Sequence, residues 1–147
     1  MTQFWFFLLT IVGGAIWGAQ ASINSALGKK IGTLEGAFVN FAVGTLLLAI
    51  IVLFFGRGNL LQAVTVPKWQ LVGGLMGAAV IFTTIISVPR IGAASMLLAM
   101  ISGQIVISMI IDHFGFFGVP RIAFDWQRLL ALLLMSGSLF LIFRSSM

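Results

Sequence analysis

The sequence has no cysteine and no tyrosine, a single histidine and only three acidic residues in 147. The missing cysteines exclude a disulfide framework and any thiolate metal site. One histidine and three acids supply too few ligands for a metal centre, so no metal is expected. Charge of either sign is scarce. Charged residues make up 7% of the chain, against about 25% in a soluble domain. So few charges cannot coat a water-soluble surface, so the bilayer must solvate most of the protein. The balance of charge is basic, at +5, which in a soluble chain would point to nucleic acid. Here the cations are scattered between apolar runs with no basic tract, and nucleic-acid binding is not expected.

Catalytic constellations are also missing. No histidine–aspartate pair accompanies a positioned serine, and no glycine-rich phosphate loop follows a strand. The row "GGLMG" (Gly73 to Gly77) lies inside an apolar run and signals packing. The chain is therefore not expected to be an enzyme or to carry a cofactor. A removable signal peptide is not expected either, because "MTQFWFFLL" lacks a basic leading region.

What the chain does have is long apolar runs. A bilayer core of about 30 Å needs about 20 helical residues. Four runs meet that length, and the fifth, Leu129 to Phe143, is short and borrows Trp126 to Arg128, giving helices near 4–28, 35–55, 69–88, 92–112 and 126–144 in one transmembrane domain, 1–147. Barrel closure is not available to so few apolar segments, so the fold class is an all-α integral membrane protein. No sequence repeat is visible. Only Gly56 to Lys68 and Asp112 to Asp125 are long enough for more than a turn. Trp5, Trp69 and Trp126 open the first, third and fifth spans, where an indole suits the interface.

Lysine and arginine do not choose a side. Arg57, Lys68, Arg121 and Arg128 fall on one side and Lys29, Lys30, Arg90 and Arg144 on the other, four against four. Orientation in membranes follows this bias. Without one, dual topology is expected, with an antiparallel homodimer or an oppositely oriented homologue as partner.

Polar residues inside the spans mark the candidate site. Gly13, Trp17, Gln20 and Asn24 recur at helical spacing and share a stripe. Carboxamides facing lipid would leave hydrogen bonds unmet. They therefore face protein or a wet cavity, either lining a substrate path or joining helices by hydrogen bonds. Asn40 sits between Gly36 and Gly44 on the second span. Ser95, Ala99 and Gly103 give the fourth span a small-residue face, and Gln104, Ser108 and Asp112 give it a polar stripe. The substrate-binding candidates are Trp17, Gln20, Asn24, Asn40 and Gln104. Asp112 ends its helix where the dipole disfavours a negative charge. It needs water, protonation or a partner, with Arg121 and Arg128 both in range. Asp112, Glu35 and His113 are the candidates for proton coupling or gating. Glu35 also fits a capping role in a helix whose N-cap is expected to be Thr33.

Five stretches carry a resemblance: "QASINSALG", "GAFVNFAVGTLLL", "RIGAA", "ISGQIVISMIIDHFGFFG" and "RLLALLLMSGSLFLIF". Together they resemble the YdcZ-like family of the drug/metabolite transporter superfamily. The resemblance implies a bacterial inner-membrane protein of five helices, one inverted repeat of a transporter-like fold related to small multidrug resistance proteins. Those relatives use a glutamate in the middle of the first helix. Here Gln20 and Asn24 are the nearest polar groups, so proton-coupled cation export is not carried over. The expected function is transport of a small polar metabolite or weak cation by alternating access in an antiparallel dimer. A dual-topology ion channel and an accessory membrane protein are the alternatives.

Overall fold

The computed structural model describes residues 2–145, and their side chains from residue 4 onward. Every regular element among them is helical. The five long helices are α1 (Thr2–Ile31), α2 (Thr33–Phe55), α3 (Val72–Ile91), α4 (Ala93–Phe114) and α5 (Trp126–Ser145). All are long and apolar enough to cross a membrane. Most overrun the expected ends. α1 continues through Lys29 and Lys30, because cations in a last turn complement the helix dipole. The two longer connections hold short 3-10 turns at Leu60–Val64, Lys68–Leu71 and Phe116–Gly118. The first is capped by Asn59, whose Oδ1 accepts from Leu61 N at 3.0 Å.

One residue separates α1 from α2, and one separates α3 from α4. Gly32 has φ 105° and ψ 152°, and Gly92 has φ 79° and ψ 158°. Only glycine adopts this region readily. The turn is therefore written into two glycines. It also corrects the capping expectation for α2. The N-cap is Gly32, no side chain caps the helix, and Thr33 is already its first residue. Glu35 remains in the first turn. Its carboxylate folds back over Gly32, where a Cβ would collide with it.

The two junctions belong to a longer pattern. Gly36 N donates to Gly32 O at 2.9 Å, and Met96 N donates to Gly92 O at 3.1 Å. The buried positions Ala21, Asn24, Ser25 and Gly36 recur as Ile81, Thr84, Ile85 and Met96, at the offset that separates the two glycines. No sequence repeat was expected. The repeat lives in burial and backbone while the side chains differ, so identity alone does not reveal it.

The chain divides into two compact units, Met1–Arg90 and Ile91–Met147. In the first, α1 and α2 pack at glycines. A Cβ on Gly36 would stand 3.0 Å from the Gly28 Cα, so the backbones nearly touch, as small residues permit in membranes. Gly28 also receives the side chain of Ile85 from α3. Gly77 of α3 sits opposite Phe41 of α2, 3.6 Å from a built Cβ. In the second unit, α4 packs on α5. α4 ends at the left-handed Gly115, whose N–H returns to Ile111 O at 2.8 Å. α5 starts on Asp125, whose Oδ1 accepts from Arg128 N at 2.8 Å, a side-chain N-cap.

Candidate functional site

Several hydroxyl groups in the spans are consumed locally. Thr10, Thr83, Thr84, Ser102, Ser136 and Ser138 each donate to a carbonyl one turn back on their own helix. That pattern is the usual resting place of a hydroxyl in an apolar helix. The carboxamides behave differently. Among the described residues, Gln20, Asn24, Asn40 and Gln104 form no side-chain hydrogen bond within the chain. A carboxamide carries two donors and two acceptor lone pairs. These four groups thus keep their full bonding capacity.

Two of them meet. Gln20 of α1 and Asn40 of α2 line one cavity of about 340 Å³ in the first unit. Phe41, Gly44, Thr45 and Ile81 complete much of its wall. The space suits a small molecule, and the amides can both donate to it and accept from it. Gly44 leaves room because it has no side chain on the α2 face between Asn40 and Leu48.

The other candidates lie elsewhere. Trp17 is half-buried one turn before Gln20 and does not line this cavity. Asn24 is 3% exposed, and its Nδ2 has no acceptor in the chain. It sits in the buried set with Ala21, Ser25, Ile81, Thr84 and Ile85. Gln104 belongs to the second unit, where its side chain is exposed, as is Ser108 on the same stripe.

Asp112 and His113 are held at the end of α4. Arg128 Nη1 lies 3.3 Å from Asp112 Oδ2, with the side chains 23% and 32% exposed respectively. Of the two arginines in range, Arg128 forms the ion pair. Arg121 is used otherwise, its Nε donating to the His113 carbonyl at 2.9 Å. Ile122 N donates to the Asp112 carbonyl at 2.9 Å. These donors satisfy carbonyls that a helix C-terminus leaves open. His113 Nδ1 accepts from Phe124 N at 3.2 Å, so its proton sits on Nε2 in this arrangement. The imidazole also edges an apolar cavity of about 440 Å³ lined by Val106, Met109, Ile110, Phe114, Phe124 and Leu132.

A family model described as "Putative inner membrane exporter, YdcZ" matches residues 5–141. The chain belongs to that family. It is a multi-pass protein of the inner membrane, and its family is described as one of exporters. Neither a curated protein nor a solved structure matches the chain.

The match covers all four carboxamides, the Asp112–Arg128 pair and both junction glycines. For a YdcZ-family exporter, the features that sequence reasoning left out are spatial. Phe41 and Thr45 on the Gln20–Asn40 cavity carry no local signal beyond their spacing from Asn40. The Gly28–Gly36 contact does have one: three glycines spaced by four residues, at 28, 32 and 36, across a helix junction.

Proposed function

We propose that this YdcZ-family protein is an exporter of a small polar metabolite or weak cation. Two copies in opposite orientation form the transporter, each acting as one transmembrane domain and one inverted repeat. Alternating access moves the substrate. The observation that carries this reading is the cavity where Gln20 and Asn40 present unspent amides between two largely apolar membrane helices. Polar groups inside a bilayer protein are costly and tend to mark pathways. Amides without net charge favour a ligand that exchanges hydrogen bonds over a bare ion.

Two further features support a second copy. The Lys/Arg balance of four against four removes the orientation bias. Gly73 and Gly74 face open space within the chain, so this part of the small-residue row on α3 is left for a neighbour that packs closely. Inverted repeats place substrate between them near the midplane. Trp17 and Asn24 on α1 and Gln104 on α4 are further candidates for contact with substrate, and Asp112, Glu35 and His113 are candidates for proton coupling.

The test uses the full chain purified in detergent. A thermal-shift screen against small polar metabolites and weak organic cations is run at two pH values, on wild type and on Gln20→Leu/Asn40→Leu. A hit that stabilises wild type and not the double variant supports the reading. A hit that stabilises both equally overturns the assigned cavity. Crosslinking in vesicles must also trap an antiparallel pair; a monomer that still transports overturns the dimer.

A further inference from the structure

A second cleft in the first unit lies where α1 and α3 end. Gly28, Lys29, Thr33, Ile85, Ile86, Pro89 and Arg90 surround about 350 Å³. Its two ends differ in chemistry. Lys29 and Arg90 supply cations at the ends of the first and third spans. Ile85, Ile86 and Pro89 supply an apolar wall deeper along α3.

The cations are available. Among the described residues, neither Lys29 nor Arg90 is in an ion pair, and both are exposed. Arg90 Nη1 donates to the Ile86 carbonyl, which fixes the guanidinium over the cleft. A guanidinium has five donors, so most remain. Lys30 follows Lys29 in the last turn of α1. The nearest acid, Glu35, is turned over Gly32 and does not line the cleft. Thr33 brings a hydroxyl that makes no hydrogen bond among the described residues. Two cations from separate helices, a hydroxyl and an apolar floor match one kind of molecule.

We propose that the Lys29–Arg90 cleft seats the phosphate of an anionic phospholipid, with an acyl chain laid along Ile86 and Pro89. Basic pockets between membrane helices bind such headgroups. A free phosphate would use the cations and leave the apolar wall unused, and the wall is what selects the lipid. The site is separate from the Gln20–Asn40 cavity, so the proposal stands whether or not that cavity binds substrate.

The experiment titrates the full chain in neutral detergent with phosphatidylglycerol, read by native mass spectrometry and thermal shift. Phosphatidylcholine with the same acyl chains and inorganic phosphate are the comparison ligands. Phosphatidylglycerol should bind and stabilise, and the other two should do neither. Lys29→Gln/Arg90→Gln should weaken binding by about ten-fold or more. Arg57→Gln/Arg144→Gln removes equal charge elsewhere and should change it less than about two-fold. If the first double variant does not fold, Lys29→Gln alone, at an exposed position, must still weaken binding. Equal binding of phosphatidylcholine overturns the charge recognition. Full stabilisation by inorganic phosphate overturns the lipid. An equal loss in the Arg57/Arg144 variant overturns the site.

Discussion

Gly36 and Gly28 meet backbone to backbone, with the place of a Gly36 Cβ 3.0 Å from the Gly28 Cα and 3.2 Å from its nitrogen. Backbone cannot swing aside as a side-chain tip can. Gly36→Val should therefore part α1 from α2 and cost about 1–3 kcal/mol, the usual range for overpacking. Gly13→Ala, which meets nothing within 4 Å, is the comparison. It should unfold at the wild-type denaturant midpoint or slightly above it, since alanine is the better helix former. Equal losses at both positions would show that the contact does not hold the hairpin.

The Asp112–Arg128 pair is partly exposed, so screening limits its worth. A double-mutant cycle with Asp112→Asn and Arg128→Gln should give a coupling below about 1 kcal/mol in stability. Transport separates the two roles of the aspartate. As a proton-coupling group, Asp112→Asn should flatten the pH dependence of transport while leaving the fold in place. An Asn variant with the wild-type pH profile would make Asp112 a plain ion-pair partner.

His113 ties the loop after α4 back to the helix. Its Nδ1 accepts from Phe124 N at 3.2 Å. His113→Ala removes that acceptor and should lower hydrogen-exchange protection of the Phe124 amide. Unchanged protection in the variant would show that the backbone alone holds the loop.

Orientation is tested by charge. Reporter fusions at the C-terminus should show both orientations for wild type. Lys29→Ala/Lys30→Ala breaks the four-against-four balance and should shift the population strongly to one. A single wild-type orientation would remove dual topology, unless an oppositely oriented homologue is found as the partner.

These outcomes divide along what a sequence can carry. The spans were legible because apolar runs of about 20 residues have few other fates. Their ends were less so. Lys29 and Lys30 looked like a stop, yet a cation in a last turn favours the helix, and α1 runs on to Ile31. Thr33 looked like a cap because its type is right, but Gly32 already makes the turn that a cap residue would begin. The stripe of Trp17, Gln20 and Asn24 was readable from spacing alone. Spacing does not say which face of α2 it meets, so the pairing of Gln20 with Asn40, and the burial of Asn24 away from it, needed the fold. Arg128 could not be chosen over Arg121 because Ile122 and Phe124 set the loop by bonds to the end of α4.

Asn24 gives the last prediction. Its side chain is almost wholly buried, and Nδ2 has no acceptor in the chain. A buried donor left unmet costs about 1–3 kcal/mol, whereas an apolar group of the same shape does not. Leucine is close to isosteric with asparagine. Asn24→Leu should therefore stabilise the isolated chain by about 1 kcal/mol or more, which a shift in thermal unfolding would register. If the amide is kept for function, the same variant should lose transport, in the way sites trade stability for activity. Asn24→Ser keeps a donor that can bond back to its own helix and should fall between the two in stability. A loss of stability in the isolated chain itself would show that Asn24 is already satisfied there, and would remove it from the site.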